Sequence, residues 1–396
     1  MRSRGLPNVA VDTDRRYPTG GVTTGRNTVK LQRTSRIAPL AAVGVLALTL
    51  TACGSDAATE DPTTDAESGA TGELSGQLSG AGASSQESAM QAWIAGFGSA
   101  NPDVTVAYDP VGSGGGRTQF VEGGVAFAGS DAALDEEETA LAAERCAPGD
   151  AAELPLYISP IAVMFNLPGV ESLNMTPQTV AGIFAGEITQ WDAPEIAADN
   201  PDVELPDLAI TPVNRSDESG TTENFTEYLA AAAADAWPHE ASGDWPISGT
   251  QSAQGTSGVV QTVTEAEGAV TYADASRAGS LGTVAVQVGD EFVPYSPEAA
   301  AAVVDASPLA EGRGEASLVR ELERDTTAAG TYPIVLVSYS LACTTYEDPA
   351  TAELVKAFLT YVASEEGQEQ AAGAAGSAPI SEEMRANVME IVEQIS

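Results

Sequence analysis

An α/β fold in two lobes is what this 396-residue sequence predicts, on three observations. Glycine- and hydroxyl-rich loops recur where an apolar strand hands over to a helix. Strands that end in polar corners alternate with amphipathic helices, the pattern of an open sheet that takes ligands at its carboxyl edge. Two unusually long apolar strands, 156–166 and 331–339, stand far apart in the chain, as two hinge segments running between lobes would.

Length and composition allow two domains with buried cores, since 43% of the residues are hydrophobic. Charge is the sharper constraint. The chain carries 17 Lys+Arg against 57 Asp+Glu, a formal net charge of −40. Eight of those cations precede Cys53, so the remainder holds nine cations against 55 acids. Nothing basic is left to neutralise a phosphate backbone, which excludes nucleic acid as a partner. Any anion would be bound against the protein's own field, by local dipoles and one or two arginines. The single histidine, His239, lies in Trp237-Pro238-His239-Glu240 and reads as a surface loop residue. One histidine cannot supply a His-rich metal site, and its acidic, Pro-interrupted loop with no nucleophile elbow elsewhere argues against a Ser-His-Asp triad, so no metal, cofactor or catalytic residue is expected.

Residues 1–36 show no apolar period. Arg33-Thr34-Ser35-Arg36 then precedes an apolar run over 37–50 that ends Leu50-Thr51-Ala52-Cys53. A basic flank, a short apolar stretch and small residues at the cut predict an export signal over 1–52. The run is short for a membrane span. Leu-x-Ala-Cys resembles the lipobox of bacterial lipoproteins, which implies cleavage before Cys53 and a lipid on its sulfur. The N-terminus is longer than such a signal needs. Translation is expected to start at Val29 through an alternative start codon, and peptides from 2–28 in the precursor would overturn that. Residues 53–77 have almost nothing apolar and read as a flexible tether.

From Leu78 the chain reads as folded. Gly80-Ala81-Gly82-Ala83-Ser84-Ser85 is a glycine-rich loop into a helix over 86–97, with Met90, Trp93, Ile94 and Phe97 on its apolar face. Val104 to Tyr108 alternates as a strand and enters a second such loop, Gly112-Ser113-Gly114-Gly115-Gly116. This is neither a P-loop nor a dinucleotide fingerprint. Arg117 beside it reads as a surface arginine. Residues 125–131 form a third strand ending at Ser130-Asp131, followed by an acidic surface helix over 135–145. Beyond the first long strand come a helix over 176–184, a buried strand over 208–213 and a helix over 223–234. Then follow Gly255-Thr256-Ser257-Gly258 ahead of another helix, a strand over 268–272, the second long strand, and helices over 349–362 and 381–395. Ser381 is the expected N-cap of the last. Cys146 and Cys343 each lie beside a long strand. In an exported protein they are expected to form a disulfide, two buried free thiols being the alternative.

The most informative stretch is Asn214-Arg215-Ser216-Asp217-Glu218-Ser219-Gly220-Thr221-Thr222, between a strand and a helix. A helix start offers unpaired N–H groups and the positive end of the macrodipole. Gly220 permits close approach to the backbone, Ser219 and Thr221 donate O–H groups, and Arg215 adds a planar fork of donors. Chemically, this is a socket for a small oxyanion.

Together with Phe127-Ala128-Gly129-Ser130-Asp131, Phe165-Asn166-Leu167-Pro168-Gly169 and 186–192, these loops resemble one family in order from residue 78 to the end. It is the substrate-binding lipoprotein of the bacterial phosphate-specific ABC importer. The resemblance implies a periplasmic-binding-protein type II fold, each lobe a mixed sheet flanked by helices. Two hinge strands would join them, with 78–158 and 333–396 in one lobe and 159–332 in the other. It implies inorganic phosphate as ligand, a membrane permease as partner and attachment to the cell membrane through lipid; the tether and the high charge favour a monomer. The implied phosphate shell is Ser84, Ser85, Ser113 and Asp131 from the first lobe and Arg215, Ser219, Gly220 and Thr221 from the second. Asp217 would orient the arginine. Many members have Thr-Phe where this chain has Ser84-Ser85, and glycine where it has Glu218, which is expected to point away from the ligand. Asp131 carries the selectivity argument. A carboxylate facing an anion is useful only when the anion has a proton to donate, as phosphate does at neutral pH and sulfate does not.

Overall fold

The computed structural model describes residues 74–396. The expected signal segment, Cys53 and nearly all of the tether lie outside the described residues. Strand β1 (Gly76–Gly82) is followed by α1 (Glu87–Ala100), β2 (Val104–Asp109), α2 (Ser113–Val121), β3 (Phe127–Ser130), α3 (Glu136–Cys146) and the long β4 (Ala151–Phe165). Next come β5 (Ser172–Met175), α4 (Pro177–Phe184), α5 (Pro194–Asp199), β6 (Thr211–Arg215), α6 (Gly220–Ala232), β7 (Gln251–Ala253), α7 (Gly255–Glu265) and β8 (Ala269–Asp274). Strands β9 (Gly282–Val288) and β10 (Glu291–Val293), helix α8 (Pro297–Ala306), β11 (Val335–Cys343), α9 (Pro349–Ala363), α10 (Glu365–Ala375) and α11 (Glu382–Val392) complete the chain.

The sheet order is β2-β1-β3-β11-β4-β8-β6-β7, with β9 joining β4, β5 and β10. Strands β1, β2 and β3 run parallel, and β11 enters antiparallel between β3 and β4. Strand β4 is shared. Its residues 151–160 pair with β11, and from Ile161 to Phe165 it pairs with β8 instead. The sheet therefore has two halves that meet where Pro160 gives way to Ile161.

Local chemistry explains the shifts from the expected elements. Strand β1 begins inside the expected tether, and Gly80-Ala81-Gly82, read as loop, belong to its ladder with β2 and β3. Residues that small carry no alternating pattern to announce a strand. The second long strand starts at Val335, because the segment before it turns away: Tyr332 N–H donates to Ala299 O (3.0 Å) and its hydroxyl to Ile161 O (2.9 Å). The strand expected over 208–213 is displaced to Thr211–Arg215. Leu208 and Ile210 instead bond Trp191 and Thr189 through their backbones. The acidic helix starts as a capping box, Asp135 accepting from Glu138 N–H and Glu138 from Asp135 N–H.

Cys146 and Cys343 are disulfide-bonded, with Cα atoms 5.1 Å apart, tying the end of α3 to the end of β11 across a separation of 197 residues. Closing so long a loop restricts the unfolded chain by roughly 5 kcal/mol in the chain-entropy model. Reducing the bond, or replacing Cys343 by alanine, is expected to lower stability by several kcal/mol, read as a lower urea midpoint with an altered slope. An unchanged midpoint would contradict the entropic account.

A second expectation concerns the junction of the halves. Asp274, paired in register with Ile161, is fully buried and accepts from the Tyr157 hydroxyl (3.0 Å) and Ser276 N–H (3.0 Å). Burial pushes its carboxyl up to about 6, against the pull of those hydrogen bonds. A raised folded value favours folding below the unfolded value, and the benefit is lost as pH climbs through 6. The stability of the protein relative to Asp274→Asn should fall by about 2 kcal/mol between pH 4 and pH 7. A flat difference in denaturation midpoints over that range would rule this out.

Candidate functional site

The starts of α1, α2 and α6 meet between the two halves, and packing fixes each. Helix α1 is held by Trp93, whose ring meets Tyr157 edge-on and whose N–H donates to Gly367 O (2.7 Å). Helix α6 is held by Phe225, stacked on Tyr272 with centroids 4.3 Å apart, and by a bond between the hydroxyls of Thr222 and Tyr272 (2.8 Å). Helix α2 begins at Ser113, directly under Asp131, whose N–H donates to the Ser113 hydroxyl (3.1 Å). First-turn N–H groups have no intrahelical acceptor, so each start turns donors toward the junction.

The centre is Asp131, buried at the end of β3. Ser85 donates to one carboxylate oxygen (2.7 Å) and Thr221 to the other (2.9 Å). These two hydroxyls come from opposite halves. Burial drives the Asp131 carboxyl upward, while the two hydroxyls and the nearby Arg215 charge pull the other way, leaving it above the ordinary range. Arg215 forms a two-pronged pair with Asp217, Nε to Oδ1 at 2.9 Å and Nη2 to Oδ2 at 2.5 Å. Burial would raise the Asp217 carboxyl, but the arginine outweighs it and holds the group below its usual value. The formal charge of this trio is therefore negative, and an incoming anion must be met mostly by neutral donors.

The remaining hydroxyls are arranged to donate. Ser84 accepts from Thr256 N–H (3.0 Å), Ser113 from Asp131 N–H, and Ser219 from Thr222 N–H (3.3 Å). A hydroxyl has one proton and two acceptor positions, so using the oxygen this way leaves its proton for another acceptor. All the residues expected from the sequence, Ser84, Ser85, Ser113, Asp131, Arg215, Ser219, Gly220, Thr221 and the orienting Asp217, are drawn into this one junction. Ser85 and Thr221 differ in detail from the others, because both direct their hydroxyl protons at Asp131.

Other participants were not expected. Thr256 opens α7 from the second half and, besides its N–H contact, lies 3.1 Å hydroxyl to hydroxyl from Ser84. The loop Gly255-Thr256-Ser257-Gly258 has the same glycine-hydroxyl composition as the others, and that was the signal available. Asn224, one turn into α6, donates to Asp131 O (2.7 Å) and Gly220 O (2.8 Å). Its side-chain oxygen accepts from Arg324, which also bonds Glu227 (2.8 Å) and Val335 O (2.5 Å). A cavity of about 550 Å³ reaches Asp131 and Asn224 from this side, lined further by Glu223, Arg313, Arg320 and Arg324. Arg117, expected at the surface, is buried. Its guanidinium bonds Glu138, Ser130 and Glu218. The glycine run before it hid the inward face of α2. Among the described residues, no acidic, histidine or cysteine cluster could hold a metal ion, and no helix is long and apolar enough to cross a membrane.

Comparison with known proteins supplies the lineage. A family model for the PBP superfamily domain matches residues 61–366. The phosphate-binding protein PstS 3 of Mycobacterium tuberculosis is 34% identical over 372 residues, covering 90% of this chain and 98% of its own. PstS 2 of the same organism is 32% identical over 386 residues, covering 93% and 100%. In fold, the chain is similar to the periplasmic phosphate-binding protein PfluDING solved with bound phosphate. The TM-score is 0.64 at 22% identity, over 80% of this chain and 93% of that one. The chain belongs to the PBP superfamily and, within it, to the PstS family of phosphate-binding proteins.

Proposed function

We propose that this protein is an extracytoplasmic receptor for inorganic phosphate that delivers its ligand to the permease of an ABC importer and performs no catalysis. The observation that carries the reading is Asp131, buried among hydroxyl donors from both halves with Arg215 nearby. Ser84, Ser85, Ser113 and Asp131 would bind phosphate from one lobe (78–158 with 333–396). Arg215, Ser219, Gly220 and Thr221 would bind it from the other (159–332). The lobes would part about the shared strand to admit the ligand and close to bury it. Lipid on Cys53, with the tether that follows, would keep a monomeric receptor at the membrane surface.

The test is calorimetric titration of the purified protein with phosphate, sulfate and a phosphate monoester. Tight binding of phosphate alone is expected. Preference for sulfate would indicate a receptor for fully ionised oxyanions. Turnover of the ester would indicate an exported phosphatase, and either result overturns the proposal.

A further inference from the structure

Arg117 and Glu218 face each other from opposite halves of the molecule. Arg117 sits on α2, and its Nη2 donates to Glu218 Oε1 at 3.0 Å. Glu218 belongs to the turn between β6 and α6, immediately ahead of Ser219, Gly220 and Thr221. The guanidinium is secured within its own half, with Nε 2.9 Å from both oxygens of Glu138 and Nη1 3.1 Å from the Ser130 hydroxyl. Burial alone would lower the arginine's affinity for its proton, but Glu218 and Glu138 more than offset it. One cation thus serves two carboxylates, one fixed beside it and one arriving with the other half.

The carboxylate of Glu218 is shaped into place. A Cβ built on Gly114, in the first half, would fall 1.3 Å from its Oε2, and one built on Gly243, in the second, 2.3 Å from its Oε1. Two glycines leave the slot that this side chain fills. Ser219 N–H donates to Gly243 O (3.1 Å), so the wall of the slot and the turn carrying the anion-binding candidates are one unit. Oε2 is buried without a partner. The Gly243 wall travels with Glu218, whereas the Gly114 wall and the contact to Arg117 both depend on the halves being together.

We propose that Arg117 and Glu218 are positioning residues that act as an interlobe latch, setting how long the closed receptor retains its anion without touching the anion. The inference rests on the phosphate-receptor reading given above. A comparison lies on the same molecule. Arg277 and Glu87 also face each other across the halves, but at 3.9 Å and through an arginine 35% exposed, against 3.0 Å and 9% for Arg117, while the two carboxylates are alike in exposure. Exposed pairs of that kind contribute little.

Stopped-flow phosphate release and calorimetry on the intact mature protein test the latch. Glu218→Ala and Glu218→Gln are expected to speed release about tenfold or more for the alanine, less for the glutamine, with association changed by less than about threefold. The unliganded melting temperature should stay put. Arg277→Ala should leave release within about twofold. Raising ionic strength should speed release from the unaltered protein more than from Glu218→Ala. Unaltered release in both Glu218 variants overturns the latch, as does a lower unliganded melting temperature with release unchanged, which marks a purely structural pair. Failure of the unaltered protein to bind phosphate at all overturns the receptor reading instead.

Discussion

Gly220→Ala is expected to weaken phosphate binding by roughly tenfold to a hundredfold without destabilising the unliganded protein. The reason is where its missing side chain would go. A Cβ at Gly220 would lie 2.8 Å from Ala132 N, from Asp131 Cβ and from Ser113 Oγ. All three belong to the first half, and two of the three residues are candidate ligand groups. Ser113 Oγ could rotate away, but Ala132 N and Asp131 Cβ are fixed by the backbone, so the first turn of α6 would have to stand off by several tenths of an ångström. Overpacking of this kind costs about 1–3 kcal/mol, which is roughly tenfold to a hundredfold in affinity when it is felt only in the closed form. The open form meets no such clash, and alanine is the better helix former by up to about 1 kcal/mol. Calorimetry should therefore show the affinity loss, and thermal unfolding should show an unchanged or raised midpoint without ligand and a smaller rise on adding phosphate. Wild-type affinity in this variant would mean that the halves do not close onto the ligand in the arrangement seen here.

The same contact explains how much of the site could be read from the sequence. Glycine, hydroxyl and arginine at a strand-to-helix handover signify an anion socket because the backbone itself supplies the donors, and backbone geometry follows from local pattern. Residues whose role depends on a remote partner were not legible. Arg117 looked like a surface residue because Glu138 and Glu218 are brought to it only by folding. Asn224 and Arg324, 100 positions apart, meet only when the segment before β11 crosses behind α6. Thr256 had the right composition but no nearby arginine to draw attention to it. Among strands, the apolar β4 was legible and the glycine-rich β1 was not, since hydrophobic alternation is the signal and small residues do not carry it.

Asp131→Asn should collapse the preference for phosphate over sulfate. The substitution is nearly isosteric, and its surroundings can adapt. Ser85 and Thr221 now donate to the carboxylate, and whichever of them meets the new amide nitrogen can rotate to accept instead. The change is therefore confined to charge and to one acceptor. Arg215 is already matched by Asp217, so in the unaltered protein Asp131 leaves the site with an excess negative charge. Phosphate turns that charge to advantage by donating its own proton across the contact, a charge-assisted bond worth about 1.5–3 kcal/mol. Sulfate has no proton to place there and meets bare repulsion in a dry site. With an amide at this position phosphate loses the strong bond, whereas sulfate loses the repulsion and gains an N–H donor. The expected result is phosphate affinity lower by tenfold or more and sulfate binding newly measurable, so that the ratio narrows by roughly a hundredfold. Parallel titrations with the two anions at neutral pH decide it. An unchanged ratio would move selectivity from Asp131 to the hydroxyls, which could accept the phosphate proton but, being neutral, would do so without the repulsion that makes a carboxylate reject sulfate.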